Sequence, residues 1–287
     1  LDHWTPAHCL VTNVDDEHSE HYATPAALHD AFADLVARVP EDGAVVLSGD
    51  DPSLAALVAR MGERVLTFGI ASDNRVHPAD VVLDDTGSSF DLVADEVKLG
   101  RVLLTVPGVH NLRNALGALA MALALGIDPE AACLALTRFR PVQRRWQLLA
   151  AARGVRVFDD FAHHPTEIEA TLALARQNAG SGRVFAVLEP QMISRVTRLA
   201  EDYATALALA DVVWLLPLSA AGEPGDTAAA EAKLRTALGQ MRPSFRDAET
   251  PEVAALAVCS AARAGDIVVC MGPEGARRTA YQIAARL

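Results

Sequence analysis

The sequence predicts an α/β protein built on mostly parallel β-sheets, and three observations carry this prediction. Short apolar runs alternate with longer segments whose apolar residues have helical spacing. This alternation is most regular between residues 154 and 286, as expected for βαβ units with helices on both faces of a sheet. Several apolar runs end in polar clusters, and ligands of such sheets bind at the carboxyl ends of the strands.

The amino-terminal part starts with three strand-like runs and one helical segment. The strands are predicted at 9–14, 44–48 and 64–69, and the helix at 25–39. Close-set runs then predict antiparallel strands at 80–84, 89–94 and 101–106, with a turn formed by Gly87, Ser88 and Ser89.

A long helix is predicted at 110–125, where Ala and Leu dominate and charges are almost absent. Such a helix is buried on most sides. Gly126 and Pro129 punctuate its end, and a second helix is predicted at 129–138.

The polar stretch 140–145, which contains Pro141, predicts a domain boundary. We therefore expect one domain at 1–139 and a second at 140–287. In the second domain strands and helices alternate, which predicts a doubly wound sheet. The strands are expected at 154–159, 183–188, 211–216, near 244 and at 266–271, and the helices at 165–178, 195–209, 227–239, 251–264 and 274–286.

Composition excludes several classes of protein. The chain has 287 residues, 51% hydrophobic content and a formal net charge of −12, with Lys only at 98 and 233. An acidic chain without a basic run does not favour nucleic-acid binding. The four cysteines form no CxxC pair, so we expect buried free thiols in a reducing cytoplasm. No apolar run has membrane-spanning length, and no signal peptide is recognisable at the start, which lacks Met.

The most informative motif is the run 157–168, in which a strand leads into a helix across a polar turn. Asp160 at the strand end could bind a ribose hydroxyl or a metal. His163 and His164 stand at a helix start, where the helix dipole favours anionic ligands. The alternative is that Asp159 or Asp160 merely caps the helix and that both histidines are solvated.

Two further clusters follow predicted strands. Residues 12–22 combine carboxylates, an amide and imidazoles that could hold Mg²⁺, or else form a solvated acidic loop. At 107–114 a glycine turn precedes His110, Asn111 and Asn114 on the first turn of an apolar helix. Amides suit the polar edge of a purine, although Asn111 could equally serve as a helix cap.

Arginines complete the candidate set. Arg144 and Arg145 lie between the predicted domains and could clamp phosphate, and Arg195 follows a strand end where it could bind a carboxylate. The alternative for each is a surface salt bridge.

The order and spacing of these motifs resemble the Mur ligase family, ATP-dependent enzymes that add amino acids to the peptidoglycan precursor. The resemblance covers nearly the whole chain and is most specific at 159–168. It implies the carboxy-terminal part of a P-loop-type central domain followed by a Rossmann-like, doubly wound carboxy-terminal domain. It looks closest to the branch that starts from UDP-N-acetylmuramate, with L-alanine as the favoured second substrate and a tripeptide as the alternative.

The resemblance also implies roles for individual residues. His18 matches a magnesium-site histidine, and Arg145 matches an arginine near the nucleotide phosphates. Asp160 matches a carboxylate on the nucleotide ribose. The adenine-binding segment matches His110, Asn111 and Asn114, and the positions near the incoming amino acid match His163 and Arg195. ATP and Mg²⁺ are the implied cofactors, and the reaction proceeds through an acyl phosphate that the amine attacks.

The chain departs from the family in several places. The Gly-Lys-Thr phosphate loop and the UDP-holding domain are not in the sequence, so we expect these 287 residues alone not to catalyse ligation. Glu189-Pro190-Gln191 stands where the alanine-adding branch usually has Gln-Pro-His, and Glu189-Pro190 is more like the tripeptide-adding branch. The turn 272–276 departs from both. A catalytically inactive homologue that binds a nucleotide or a partner is the third alternative.

Overall fold

The computed structural model describes residues 4–15, 22, 24–240 and 244–287. The chain divides into two compact units, Leu1–Arg140 and Pro141–Leu287. Each unit is an α/β structure with one six-stranded sheet, as the sequence predicts. No helix in the described part of the chain is long and apolar enough to cross a membrane.

In the first unit the strands follow their sequence order across the sheet. They are β1 (Cys9–Val11), β2 (Val45–Ser48), β3 (Val65–Phe68), β4 (Val76–Leu83), β5 (Ser88–Ala94) and β6 (Val97–Leu104). The first four are parallel to one another, and β5 and β6 extend the sheet as antiparallel strands. The unit therefore joins a parallel half to an antiparallel meander.

Four helices accompany this sheet among the described residues. They are α1 (Pro25–Ala37), α2 (Ala55–Met61), α3 (Val109–Ala124) and α4 (Pro129–Leu136). Helix α3 lies in the core with Leu112, Leu116 and Leu119 almost fully buried, as its uncharged sequence predicts.

Three local details of this unit differ from the sequence prediction. Helix α2 was not predicted; it follows a 3₁₀ turn at Pro52–Leu54 that Asp51 caps by accepting the N–H of Ser53. Strand β4 starts at Val76 rather than at 80, because Val76 to Ala79 already pair with β5; a register shift follows between Ala79 and Val82. The turn between β4 and β5 precedes Ser88: Asp84 accepts the N–H groups of Thr86 and Gly87, and Ser88 and Ser89 belong to β5.

The second unit has the strand order β11-β10-β9-β12-β8-β7. The strands are β7 (Gln147–Ala152), β8 (Val155–Asp160), β9 (Val184–Leu188), β10 (Val212–Leu215), β11 (Ser244–Asp247) and β12 (Ile267–Met271). All pairs are parallel except β7 with β8. The edge strand β7 was not predicted, because it turns back into β8 through Arg153 and Gly154, which both have positive φ.

Helices cover both faces of this sheet, and two separate apolar clusters fill the space beneath them. The helices are α5 (Pro165–Ala179), α6 (Ile193–Arg198), α7 (Ala200–Leu207), α8 (Thr227–Gly239), α9 (Pro251–Ala261) and α10 (Glu274–Arg286). The helix predicted at 195–209 is thus two helices, which a non-helical backbone at Leu199 separates. This doubly wound arrangement brings the carboxyl ends of β8, β9 and β12 side by side.

Candidate functional site

The polar turn after β8 leads directly into helix α5, and a histidine caps that helix. The Nδ1 atom of His164 accepts the N–H of Thr166 at 3.4 Å. Glu167 completes a capping box, because its Oε2 accepts the N–H groups of His163 at 3.0 Å and His164 at 3.3 Å. The capping group is therefore His164, a buried side chain, and not Asp159 or Asp160.

Asp160 turns its carboxylate toward backbone donors. One oxygen accepts the N–H of Trp146 at 2.7 Å and the other that of Ala162 at 2.8 Å. Burial raises the pKa of Asp160, and these two N–H groups and the charge of Arg145 oppose that rise. The predicted ribose contact of Asp160 stays a prediction, since its observed partners are within its own unit.

Arg145 lies in a strained loop that Asp160 holds. Its neighbours Arg144 and Trp146 have φ values of 61° and 47°, in the left-handed region that non-glycine residues rarely adopt. The Trp146 ring stacks on Phe158 with a centroid distance of 4.0 Å. Asp160 and Arg145 therefore lie close together in the structure. Both residues are predicted to contact the nucleotide.

Arg144 and Asp159 form an ion pair beneath this loop. The Nε atom of Arg144 lies 3.4 Å from Asp159, whose side chain is fully buried. Burial raises the pKa of the Asp159 carboxyl, while Arg144 opposes the rise. Arg144 also donates to the carbonyl oxygens of Gly272 and Pro273, the latter at 2.8 Å. Arg144 is thus largely buried within the unit, whereas the side chain of Arg145 is half exposed.

His163 is held by neighbours on several sides. Its ring Nδ1 lies 2.8 Å from the carbonyl oxygen of Phe161, which places a proton on Nδ1 and leaves Nε2 of the neutral ring as an acceptor. The hydroxyl of Tyr203 donates to the His163 carbonyl at 2.5 Å. Glu167 lies between His163 and Arg145, at 3.6 Å from each, and sequence reasoning missed it.

Arg195 lies in the first turn of helix α6 and is 8% exposed. The strand end that leads to it carries Glu189, whose Oε2 accepts the N–H of Ala276 at 2.9 Å. A Cβ added to Gly275 would meet this carboxylate at 2.8 Å. Two of the places where the sequence departs from the family, Glu189 and the turn 272–276, therefore touch each other.

In the first unit, His110, Asn111 and Asn114 share the first turns of helix α3, as predicted. Gly108, with φ of 102°, precedes the helix and supplies no side-chain cap. The Asn111 amide donates to the Pro107 carbonyl at 2.7 Å, whereas Asn114 is exposed. The start of α3 thus has no side-chain cap from Gly108 and carries one exposed amide, that of Asn114.

The predicted metal residue His18 lies outside the described residues. Asp15, from the same cluster, is half-buried near the end of β1. Within residues 4–15, 22, 24–240 and 244–287, no group of three or more His, Cys, Asp or Glu side chains could hold a metal ion. A cavity of about 590 Å³ in the first unit is lined by His8, Glu63 and Arg75 among others, and none of the predicted site residues lines it.

Two family models match the chain. The model of the Mur ligase middle domain matches residues 1–122, and the model described as Mur ligase, glutamate ligase domain matches residues 144–273. A UDP-N-acetylmuramate–L-alanine ligase of Acidothermus cellulolyticus is 39% identical over 275 residues, which are 93% of this chain and 56% of that protein. A relative of the same name from Acidobacterium capsulatum is 36% identical over 292 residues, 99% of this chain and 61% of that protein.

Solved structures agree with the fold. A UDP-N-acetylmuramate-alanine ligase from Thermotoga maritima has a TM-score of 0.74 at 21% identity and covers 99% of this chain and 60% of its own. A murein peptide ligase from Psychrobacter arcticus has a TM-score of 0.67 at 24% identity, with 98% and 58% covered. The chain spans about half to three fifths of the length of the curated relatives it matches. From the two matched domains and their order, the chain belongs to the Mur ligase family.

Proposed function

We propose that the protein carrying this chain joins L-alanine to UDP-N-acetylmuramate at the expense of ATP, as a step of peptidoglycan synthesis. The observation that supports this most is the 39% identity to relatives named for that reaction, which extends over 93% of the chain. The geometry of the second unit supports it as well. His163 and Arg195 follow the carboxyl ends of β8 and β9, and Arg145 precedes the start of β7, which pairs antiparallel with β8, so all three lie at one edge of the sheet.

The chemistry assigns a task to each group. ATP supplies the phosphoryl group that activates a carboxylate as an acyl phosphate. Arg145, which Asp160 and the strained loop hold in place, would balance negative charge on phosphate oxygens. Arg195 would bind the carboxylate of the incoming amino acid, and Nε2 of His163 would accept a proton from its amine.

The nucleotide and the metal are part of the same proposal. The start of helix α3, with His110, Asn111 and Asn114, would hold the adenine. We include Mg²⁺ because the family resemblance implies it and matches His18 to the magnesium site. We propose a cytoplasmic location, because nucleotide-linked precursors and ATP are cytoplasmic substrates.

The tripeptide-adding reaction is the second candidate, and Glu189-Pro190 is the sequence feature that favours it. In the structure the Glu189 carboxylate accepts the N–H of Ala276 at the start of helix α10, so it makes a contact within the unit. L-Alanine therefore remains the favoured substrate.

A direct assay tests the proposal. The full-length protein is incubated with ATP, Mg²⁺ and UDP-N-acetylmuramate, with either L-alanine or the tripeptide, and released phosphate and the mass of the product are measured. We expect product with L-alanine. Preference for the tripeptide supports the second candidate instead, and nucleotide binding without product for either acceptor identifies an inactive homologue; both results overturn the proposal.

A further inference from the structure

Met192, directly before helix α6, has a strained backbone. Its φ is 68° and its ψ is 120°, in a region that residues with a Cβ rarely adopt. Strain of this kind persists only where surrounding contacts fix the backbone, and it is common at functional sites. Arg195 lies three residues further on and is buried. The strain is therefore next to a residue that the proposed function uses.

Backbone hydrogen bonds to the loop 219–226 hold the Met192 turn. Met192 donates to the carbonyl of Ser219 at 2.9 Å, and Ser219 donates to the carbonyl of Pro190 at 2.9 Å. These two bonds flank an isolated parallel bridge between Gln191 and Ser219. The segment before α6 and the start of the loop are thus joined through their backbones.

Glu223 adds a second clamp from the middle of the loop. Its Oε2 accepts the N–H of Ser194 at 3.0 Å, and its Oε1 accepts the hydroxyl of Ser194 at 2.5 Å. Hydrogen bonds to a carboxylate are stronger than those between neutral groups. Helix α6 receives no side-chain cap from Met192, the residue before it, so the acceptor comes from Glu223.

The backbone conformation of the loop brings Glu223 to Ser194. Ala221 and Gly222 have φ values of 53° and 87°, and Glu223 closes the turn by donating to the Ala220 carbonyl at 2.9 Å. A Cβ added to Gly225 would lie 3.3 Å from the Ile193 side chain, so the loop backbone packs directly against the start of α6. The loop reaches Ser194 because of these two features.

We propose that Glu223 is the positioning residue that fixes Arg195 for the carboxylate of the amino-acid substrate. Glu223 binds Ser194. Together, Ser194 and the strained Met192 fix the first turn of α6, and this turn orients the Arg195 side chain. Glu223 itself touches no substrate. The assignment of a carboxylate ligand to Arg195 rests on the proposed function; the coupling of Glu223 to the Met192 backbone does not.

Steady-state kinetics of the full-length protein test the role in binding. The variants are Glu223→Ala, Ser194→Ala and Glu223→Gln, and the control is Asp226→Ala. Asp226 lies in the same loop and caps α8 by accepting the N–H groups of Ala228 and Ala229, without contact to Ser194. We expect Glu223→Ala to raise the KM for L-alanine about tenfold while the KM for ATP changes less than about twofold.

The graded series separates positioning from loss of stability. Ser194→Ala keeps the backbone N–H and should raise the KM for L-alanine less than Glu223→Ala does. Glu223→Gln keeps one acceptor oxygen and should restore part of the affinity. Asp226→Ala should leave both KM values unchanged. An equal rise in the two KM values for Glu223→Ala, or a rise for Asp226→Ala as large as that for Glu223→Ala, overturns the proposal.

A second measurement uses the chain itself and needs no ligase activity. The φ of Met192 is determined in the wild-type and Glu223→Ala chains from crystal structures or from backbone NMR couplings. We expect Met192 to leave the left-handed region when Glu223 is removed. If Met192 keeps its φ, the proposal is overturned even where the protein is a ligase; if Met192 relaxes in a protein that proves not to be a ligase, the coupling stands and the proposed function fails.

Discussion

Glu167 Oε2, in the first turn of helix α5, lies 3.6 Å from Nδ1 of His163, which precedes the helix. The same carboxylate accepts two backbone N–H groups and approaches Arg145 with its other oxygen. Burial alone would raise the pKa of Glu167, but the His163 N–H, the charges of His163 and Arg145 and the His164 N–H together lower it. One acidic residue thus joins two residues that the sequence assigns to different substrates.

Glu167→Gln should therefore destabilise the chain in a pH-dependent way. A carboxylate whose pKa is lower in the folded state than in the unfolded state stabilises the fold at pH values above its ordinary pKa. This stabilisation is lost as pH falls through the lowered pKa. We expect Glu167→Gln to reduce the free energy of unfolding at pH 7 by about 1 kcal/mol or less. The difference should shrink as pH falls below the ordinary pKa of Glu, about 4.3, and vanish once pH is below the lowered folded-state pKa. Urea denaturation across this range measures it.

The matched control is Glu169→Gln, an exposed position on the same helix. It should leave the free energy of unfolding within about 0.5 kcal/mol of the wild type. A difference for Glu167→Gln that persists unchanged into acid would contradict the electrostatic role.

Arg144→Met should cost much more, and its deficit should likewise be larger at neutral pH than in acid. The fully buried Asp159 then loses its ion-pair partner, and breaking a buried ion pair typically costs about 3–5 kcal/mol. Because the folded-state pKa of Asp159 is raised, its contribution to stability is present at acid pH and is lost as pH rises through that pKa. The deficit of Arg144→Met should thus be largest near pH 7 and shrink toward acid, where Asp159 is protonated.

Arg75→Met is the control for that experiment. Arg75 pairs with Asp95 at 2.7 Å, but the two side chains are 44% and 60% exposed. Exposed pairs contribute about 0.2–1 kcal/mol. Equal losses for the two variants would show that burial of Asp159 is not the cause.

Gly275→Ala should destabilise the second unit through Glu189. The added methyl group would lie 2.8 Å from the Glu189 carboxylate, and overpacking of this kind costs about 1–3 kcal/mol. Gly239→Ala is the control. Gly239 ends helix α8, and a Cβ added there would lie in open space, so this substitution should be neutral or stabilising by up to about 1 kcal/mol. Calorimetry compares the two variants.

A double variant identifies the cause. In a Glu189→Ala background the carboxylate is gone, so Gly275→Ala should lose most of its effect. Additive losses would instead place the strain elsewhere in the turn.

Asn111→Ala should weaken nucleotide binding, and Asn178→Ala should not. Each amide donates to the carbonyl four residues earlier, Asn111 at 2.7 Å and Asn178 at 2.9 Å, so both variants should lose similar stability. Only Asn111 lies on the first turn of α3. We expect about a tenfold loss of ATP affinity for Asn111→Ala by calorimetric titration. Equal affinities in the two variants would remove Asn111 from the nucleotide site.

The sequence by itself determined the α/β class, most strands of the second sheet and the turns that carry the polar residues. Apolar runs such as 184–188 and 267–271 are strands in the structure, because apolar residues continuous along a strand are buried on both faces of a parallel sheet. The order of its motifs also determined the family. Where local signals were weak, as at Arg153 and Gly154, a strand was missed.

Only the tertiary structure decided what the charged groups do. Glu189 meets Ala276, 87 residues later, and Arg144 meets Pro273, 129 residues later. Glu223 holds Ser194 across 29 residues. Local patterns carry no record of such pairs, because parallel strands bring distant segments together at one edge of a sheet. The sequence therefore placed the candidate residues on the right turns, whereas the packing of those turns decided which carboxylates face a ligand and which hold the protein together.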